Sequence, residues 1–232
     1  MAKKTKASDP SQAEQSVGEI LSKTDKFIDK YWKQILIGIV AVILIVVGII
    51  IFRHSYLLPR EKNAQEAISP GEQYYANQQW EIALNGDSID YIGFESIIEE
   101  YSGTNTANLA KFYAGICQYN LGDYEAALKT IQSYKGKDLL IAAQALAVIG
   151  NCEVNLGNPQ KGADYFKKAA AKADNSVLSP MNLAKAALIY ESLEDYKSAL
   201  DIYNTIKTKY PESQEASNIE KYIERAKILS NK

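Results

Sequence analysis

The sequence predicts an all-α chain: a single N-terminal transmembrane helix, then an α-solenoid of helical hairpins closed by a C-terminal capping helix. Three observations carry this. Residues 35–52, "ILIGIVAVILIVVGIIIF", contain no charged or strongly polar residue. One phrase occurs three times, as "YNLGDYEAAL" at 119–128, "VNLGNPQKGA" at 154–163 and "ESLEDYKSAL" at 191–200. Finally, "SQEASNIEKYIERAKIL" at 213–229 repeats its apolar residues at helical spacing.

The chain divides into a tail at 1–33, a span at 34–53 and a body at 54–232. Residues 1–15 are polar, charged and without a period, and are expected to be disordered. Val17, Ile20, Leu21, Thr24, Phe27, Ile28 and Tyr31 then share a helical face. That face suits a helix lying on a membrane surface or continuing into the span, with a partner-binding cytoplasmic helix as the alternative.

Eighteen helical residues cover roughly 27 Å, and starting at Trp32 brings the length to about 30 Å, the thickness of bilayer hydrocarbon. A core helix would show a polar face, and this segment has none. Tyr31 and Trp32 at one end, with His54 and Tyr56 at the other, suit the headgroup interface. A cleaved signal peptide is the competing reading, but its apolar stretch runs to about 7–15 residues and ends at small residues. Here "RHSYLLPR" follows, and no Cys follows for a lipoprotein anchor.

Seven lysines precede the span, against Arg53, Arg60 and Lys62 just after it. The positive-inside rule places the N-terminus in the cytoplasm and the body on the far side of the inner membrane. Residues 1–53 carry a net charge of +3 and residues 54–232 a net of −5. A net-acidic body is a poor nucleic-acid binder, since phosphate neutralisation needs a basic face, and no nucleic-acid partner is expected.

Each copy of the phrase reads as a helix end, a tight turn and a helix start. Gly122 and Gly157 supply left-handed backbone at the helix end. Asp123, Asn158 and Asp195 are expected to cap the next helix, and Pro159 fits its first turn. Small residues recur where paired helices must cross closely: Gly115, Gly150 and Ala187 before the turns, Ala127, Gly162 and Ala199 after them. Ile131, Phe166 and Tyr203 fill the gaps, and Pro211 ends the last unit. Over about residues 107–212 this resembles the tetratricopeptide family, whose repeats run about 34 residues. The clearest units lie at about 108–141, 143–176 and 180–213. The second departs from the pattern at Pro159 and Gly162, and the third has Glu194 where Gly is common.

Upstream, Ser69-Pro70-Gly71-Glu72 reads as a capping box that starts a helix, and residues 91–101 as the second helix of an incomplete unit. Downstream, Ile219, Tyr222, Ile223, Ala226 and Leu229 form one face of a terminal helix, which a solenoid needs to cover its last repeat.

No constellation for catalysis stands out. His54 is the single histidine, placed at the membrane edge. Cys117 and Cys152 hold the same position in successive units. Buried free thiols are the first reading and a disulfide the alternative, since helix axes about 8–10 Å apart rarely bring Cα atoms within about 7 Å. Two Cys and one His so placed make no metal spacing. No phosphate loop or nucleophile elbow is present. The acidic pairs Glu99–Glu100 and Glu194–Asp195 read as solvated charge. No enzyme, cofactor, metal or small-molecule substrate is expected.

What remains is a surface. The first helices of such units line a concave groove. Its expected positions are Phe112, Tyr113, Ile116 and Tyr119 in the first unit, then Val148, Asn151, Val154 and Asn155, then Lys185, Leu188 and Glu191. Rings and amides together suit an extended peptide. The alternative is that an upstream helix bearing Tyr74, Tyr75 and Trp80 covers the aromatic end.

The layout as a whole, with "WEIALNGD" at 80–87 and "GFESIIEEYSGTNTANLAKFYAGICQYNLGDYEAAL" at 93–128, resembles the YfgM-type ancillary subunits of the Sec translocon in the form found in Bacteroidota. The resemblance implies an inner-membrane protein with a periplasmic repeat body. Its implied partners are translocon subunits, emerging polypeptides or periplasmic chaperones. The runner-up is a structural scaffold that assembles an envelope complex from folded partners.

Overall fold

A computed structural model describes the backbone of residues 10–87 and 89–231, and side chains from residue 30 onward within those ranges. The chain falls into two units, residues 1–57 and 58–232.

The first unit holds α1 (Pro10–Phe52) and a π-helical turn (Arg53–Leu57). Every residue from 35 to 52 is exposed, so no other part of the protein among the described residues covers this all-apolar stretch. Among the described residues, one helical segment, which includes this stretch, is long and apolar enough to cross a membrane by length and composition. The helix begins at Pro10, so residues 10–15, expected to be disordered, are helical. The remainder of the disorder expectation (1–9) and the amphipathic face from Val17 to Ile28 lie outside the described residues and side chains.

The second unit is built entirely of helices among its described residues. They are α2 (Leu58–Ala76), α3 (Trp80–Asn85), α4 (Gly93–Glu100), α5 (Asn105–Asn120), α6 (Tyr124–Gln132), α7 (Leu139–Asn155), α8 (Pro159–Ala173), α9 (Leu178–Ser192) and α10 (Tyr196–Lys209). A short 3-10 turn (Gln214–Asn218) leads into α11 (Ile219–Ser230). Helices α5/α6, α7/α8 and α9/α10 are three antiparallel hairpins, and each helix packs on the next in sequence, as in a solenoid.

The hairpin turns share one geometry. Gly122 (φ 89°), Gly157 (φ 80°) and Glu194 (φ 61°) all sit in left-handed backbone. In each turn the amide of the following residue donates back to a carbonyl five residues earlier: Asp123 to Gln118, Asn158 to Glu153, Asp195 to Tyr190. Those bonds satisfy the last carbonyls of the first helix. Asp123 and Asp195 then accept the amides of Ala126 and Ser198 as N-caps. Asn158 does not: its Nδ2 donates to Glu153 instead, at 3.0 Å, and Pro159 alone shapes the first turn of α8. The small residues meet as expected. A Cβ on Gly150 would lie 3.1 Å from the Gly162 carbonyl, so those two helices touch backbone to backbone.

Two expectations are corrected. No helix starts at Ser69; α2 runs through Pro70 to Ala76. Its burial of Ala64 and Ile68 against the body offsets the hydrogen bond that Pro70 cannot make. Gly71 is inside that helix because Tyr91 and Phe94 occupy the space a side chain would need. The capping helix is also shorter than expected, with its first turn wound as 3-10 before Ile219, Ile223 and Ala226 bury on α10.

The core comprises three clusters. One joins α2–α5 around Phe94, Ile97 and Cys117. One joins α5–α7 around Phe112, Ile131 and Ile149. One joins α8–α11 around Phe166, Tyr203 and Ile206. Each wholly buried Phe or Ile among these contributes about 1.5–3 kcal/mol. The connection between α3 and α4 is fixed by Asp87, whose Oδ1 accepts the amides of Ile89, Asp90 and Tyr91 while Oδ2 accepts the Tyr74 hydroxyl at 2.8 Å. Those bonds hold the Asp87 carboxyl well below the usual carboxylate range.

Candidate protein-binding groove

The first helices of the second and third hairpins, α7 and α9, each bury one stripe and leave another open. Helix α7 shows this most clearly. Asp138 caps it by accepting from Leu140 and Ile141, and Ala143, Ala145, Ile149, Gly150 and Cys152 face the core. The opposite stripe follows at helical spacing: Leu140, Gln144, Val148, Asn151 and Asn155. Leu140, Gln144 and Asn155 are exposed, and Val148 and Asn151 half-buried. None carries a charge. On α9 the corresponding stripe is Met181, Lys185, Leu188 and Ser192, with Leu188 half exposed at 50%.

The expected groove residues divide into three groups. Tyr119, Asn155 and Asn151 come together: Asn155 Nδ2 donates to the Tyr119 hydroxyl at 3.4 Å and to the Asn151 carbonyl at 2.9 Å. This ties the C-terminal end of α5 to the stripe of α7. Leu188 and half-buried Lys185 lie on the open stripe of α9. The Lys185 ammonium stands 5.3 Å over the Phe166 ring, and burial pushes its pKa down.

The aromatic end is closed. Phe112 is only 5% exposed and packs with Ile131, Ala145 and Ile149, so it is a core residue and not a groove wall. Ile116 is half-buried against that cluster. Tyr113 meets Tyr75 edge-on at 4.9 Å and stacks on Phe94 at 5.2 Å, while its hydroxyl donates to Glu72. The covering of this end by the upstream helix, weighed as an alternative from the sequence, applies to Tyr113. Two further positions belong to the packing. Val154 packs beside Gly162, and Glu191 forms an ion pair with Arg225 of α11.

Sequence reasoning missed Leu140, Gln144 and Met181. Stepping back from Asn155 and Asn151 by three and four residues reaches Val148, Gln144 and Leu140, and that spacing was the available signal.

Reactive chemistry is sparse along the surface. Among the described residues no group of three or more His, Cys, Asp or Glu could hold a metal ion. Cys117 and Cys152 are buried free thiols, not a disulfide. Burial pushes their pKa values up to about 12 and about 11, which keeps both protonated and poorly nucleophilic.

The repeat geometry and its close-packed glycines identify the architecture. The chain carries tetratricopeptide repeats. The tetratricopeptide repeat family model matches residues 109–138 and 183–213. These matches flank the hairpin whose Pro159 and Gly162 depart from the pattern. No curated protein matches the chain. Tetratricopeptide repeats are in general protein-interaction modules.

Proposed function

We propose that this chain is a non-enzymatic protein-binding module tethered to the inner membrane through residues 34–53. In this reading its N-terminus lies in the cytoplasm and its repeats in the periplasm. It assists Sec-dependent export by contacting the translocon, emerging chains or periplasmic chaperones. The observation that carries the reading is the uncharged stripe Leu140–Gln144–Val148–Asn151–Asn155, in a chain whose residues 35–52 form a fully exposed apolar helix. Apolar positions offer area to passing side chains, and the amides offer hydrogen bonds to an extended backbone.

The mechanism is tethering. Holding the stripe at the membrane raises its effective concentration there to about the millimolar range, so weak contacts suffice. An uncharged surface also binds without demanding one sequence. Mild crosslinking in cells followed by purification tests the proposal. Sec channel subunits are expected in the recovered material, and their repeated absence contradicts the export role. A scaffold for folded envelope proteins is the second reading. It is favoured by the closed Tyr75–Tyr113 end, which shortens the open surface. Crosslinks that persist unchanged when export is stopped select it.

A further inference from the structure

At the C-terminal end of the open stripe lies a cleft of about 280 Å³ between α9, α10, the 3-10 turn and α11. Its apolar lining is Ala184, Leu188, Tyr203, Ile219 and Tyr222. The polar rim is the 3-10 turn itself, through Gln214, Glu215, Ser217 and Asn218. Ala184 and Leu188 belong to α9, so the cleft continues the stripe rather than standing apart from it.

The volume falls below the range of about 300–1,000 Å³ usual for cofactor or drug-sized sites. It suits one side chain. The walls are packed against each other: Tyr203 is 2% exposed and its ring lies 5.4 Å from Tyr222. Helix α11 is pinned on both sides, by Arg225 paired with Glu191 and by Lys207 paired with Glu220 at 2.6 Å.

Charge decides what flanks that side chain. Both of those cations are already engaged. Glu215 on the rim has no ion-pair partner among the described residues, and residues 54–232 as a whole carry a net charge of −5. A neighbouring Lys or Arg on the ligand is attracted, and a neighbouring Asp or Glu is repelled.

We infer that this cleft is an anchor pocket for one apolar side chain, of Leu or Phe size, on an extended polypeptide whose flanking residues are basic. The inference rests on the groove reading above and adds its specificity element. The stripe on α7 accepts backbone loosely, and the pocket sets the register by burying one side chain.

The test uses the full chain in phosphatidylcholine nanodiscs and a fluorescein-labelled, end-capped peptide with one Leu between Ser and Lys residues. Fluorescence anisotropy is expected to show binding that weakens about tenfold when the peptide's Leu becomes Ala. Ser217→Trp, which fills the pocket from an exposed position, is expected to weaken the Leu peptide by a similar factor. Leu188→Asp serves as a second pocket variant, and unchanged melting curves confirm that both variants fold. Glu215→Lys is expected to invert the preference between Lys-flanked and Glu-flanked peptides. The inference is overturned if the Leu and Ala peptides bind alike, or if both pocket variants bind as the parent does. If those variants are silent while Asn151→Trp abolishes binding, the pocket falls and the groove stands. If no peptide binds, both fall.

Discussion

Glu61 of α2 closes the N-terminus of α5 through Thr106: one carboxylate oxygen accepts both the Thr106 amide at 2.9 Å and its hydroxyl at 2.7 Å. The other oxygen accepts the Asn105 amide at 2.7 Å. With Thr104 taking the Ala107 amide, the first turn of α5 is fully capped. A carboxylate there also meets the positive end of the helix dipole. Glu61→Ala is expected to lower the stability of the body by about 1–2 kcal/mol. Glu61→Gln should cost less, because it keeps an acceptor. Urea midpoints followed by helical circular dichroism check the order.

Gly162 stands where the repeat pattern usually has Ala. The reason is local: a Cβ there would overlap the Val154 side chain and lie 2.9 Å from the Gly150 carbonyl. Gly162→Ala must therefore push α7 and α8 apart and is expected to cost about 1–3 kcal/mol. Ala is ordinarily the better helix former by about 1 kcal/mol, so a neutral or stabilising result in the same urea titration would refute the close contact.

Glu194 carries a side chain in left-handed backbone, at φ 61°, where the two preceding turns use Gly. Glu194→Gly relieves that strain and is expected to raise stability by about 1 kcal/mol, net of the added freedom of the unfolded chain. Gly122→Ala, at φ 89°, should move stability the other way. Thermal melts of the two variants test the pair together.

Alkali should loosen the fold through its buried thiols and the Tyr113 hydroxyl. Burial raises the Cys117 thiol to about 12 and the Cys152 thiol to about 11, both from 9.0. Burial, followed by the nearby Glu72 carboxylate, raises the Tyr113 hydroxyl to about 12 from 10.0. Above pH 9 the unfolded chain releases protons that the native state still holds, so stability falls with rising pH. The loss runs from the ordinary values near 9–10 to the raised ones near 11–12. Urea midpoints taken from about pH 7 upward in the presence of a reductant should be flat up to that window and decline within it. Cys152→Ala should make the decline shallower.

The hairpins were legible because their turns are written locally. Gly122 and Gly157 take positive φ, Asp123 and Asp195 take the N-cap, and each is decided within a few residues. The upstream region was not legible for the opposite reason. Ser69-Pro70-Gly71 has the composition of a helix start, and only the packing of Ile68 and the tight approach of Tyr91 to Gly71 shows that the helix continues. Local propensity lost to tertiary burial. The open stripe was half legible. Helical spacing finds Asn151 and Asn155, but nothing near Phe112 announces that residues from the next hairpin, Ala145 and Ile149, close over it.

The sidedness of the tether is a separate expectation. Protease added to spheroplasts should degrade the repeats while leaving cytoplasmic controls intact. Survival of the body would place it in the cytoplasm and reverse the reading of the lysine-rich tail.

The most direct measurement places a photo-crosslinking amino acid at Asn151, in the middle of the uncharged stripe, and illuminates cells during active export. The account predicts adducts with newly exported chains that vanish when translocation is blocked. Adducts confined to abundant folded neighbours, identical with export running or stopped, would contradict it.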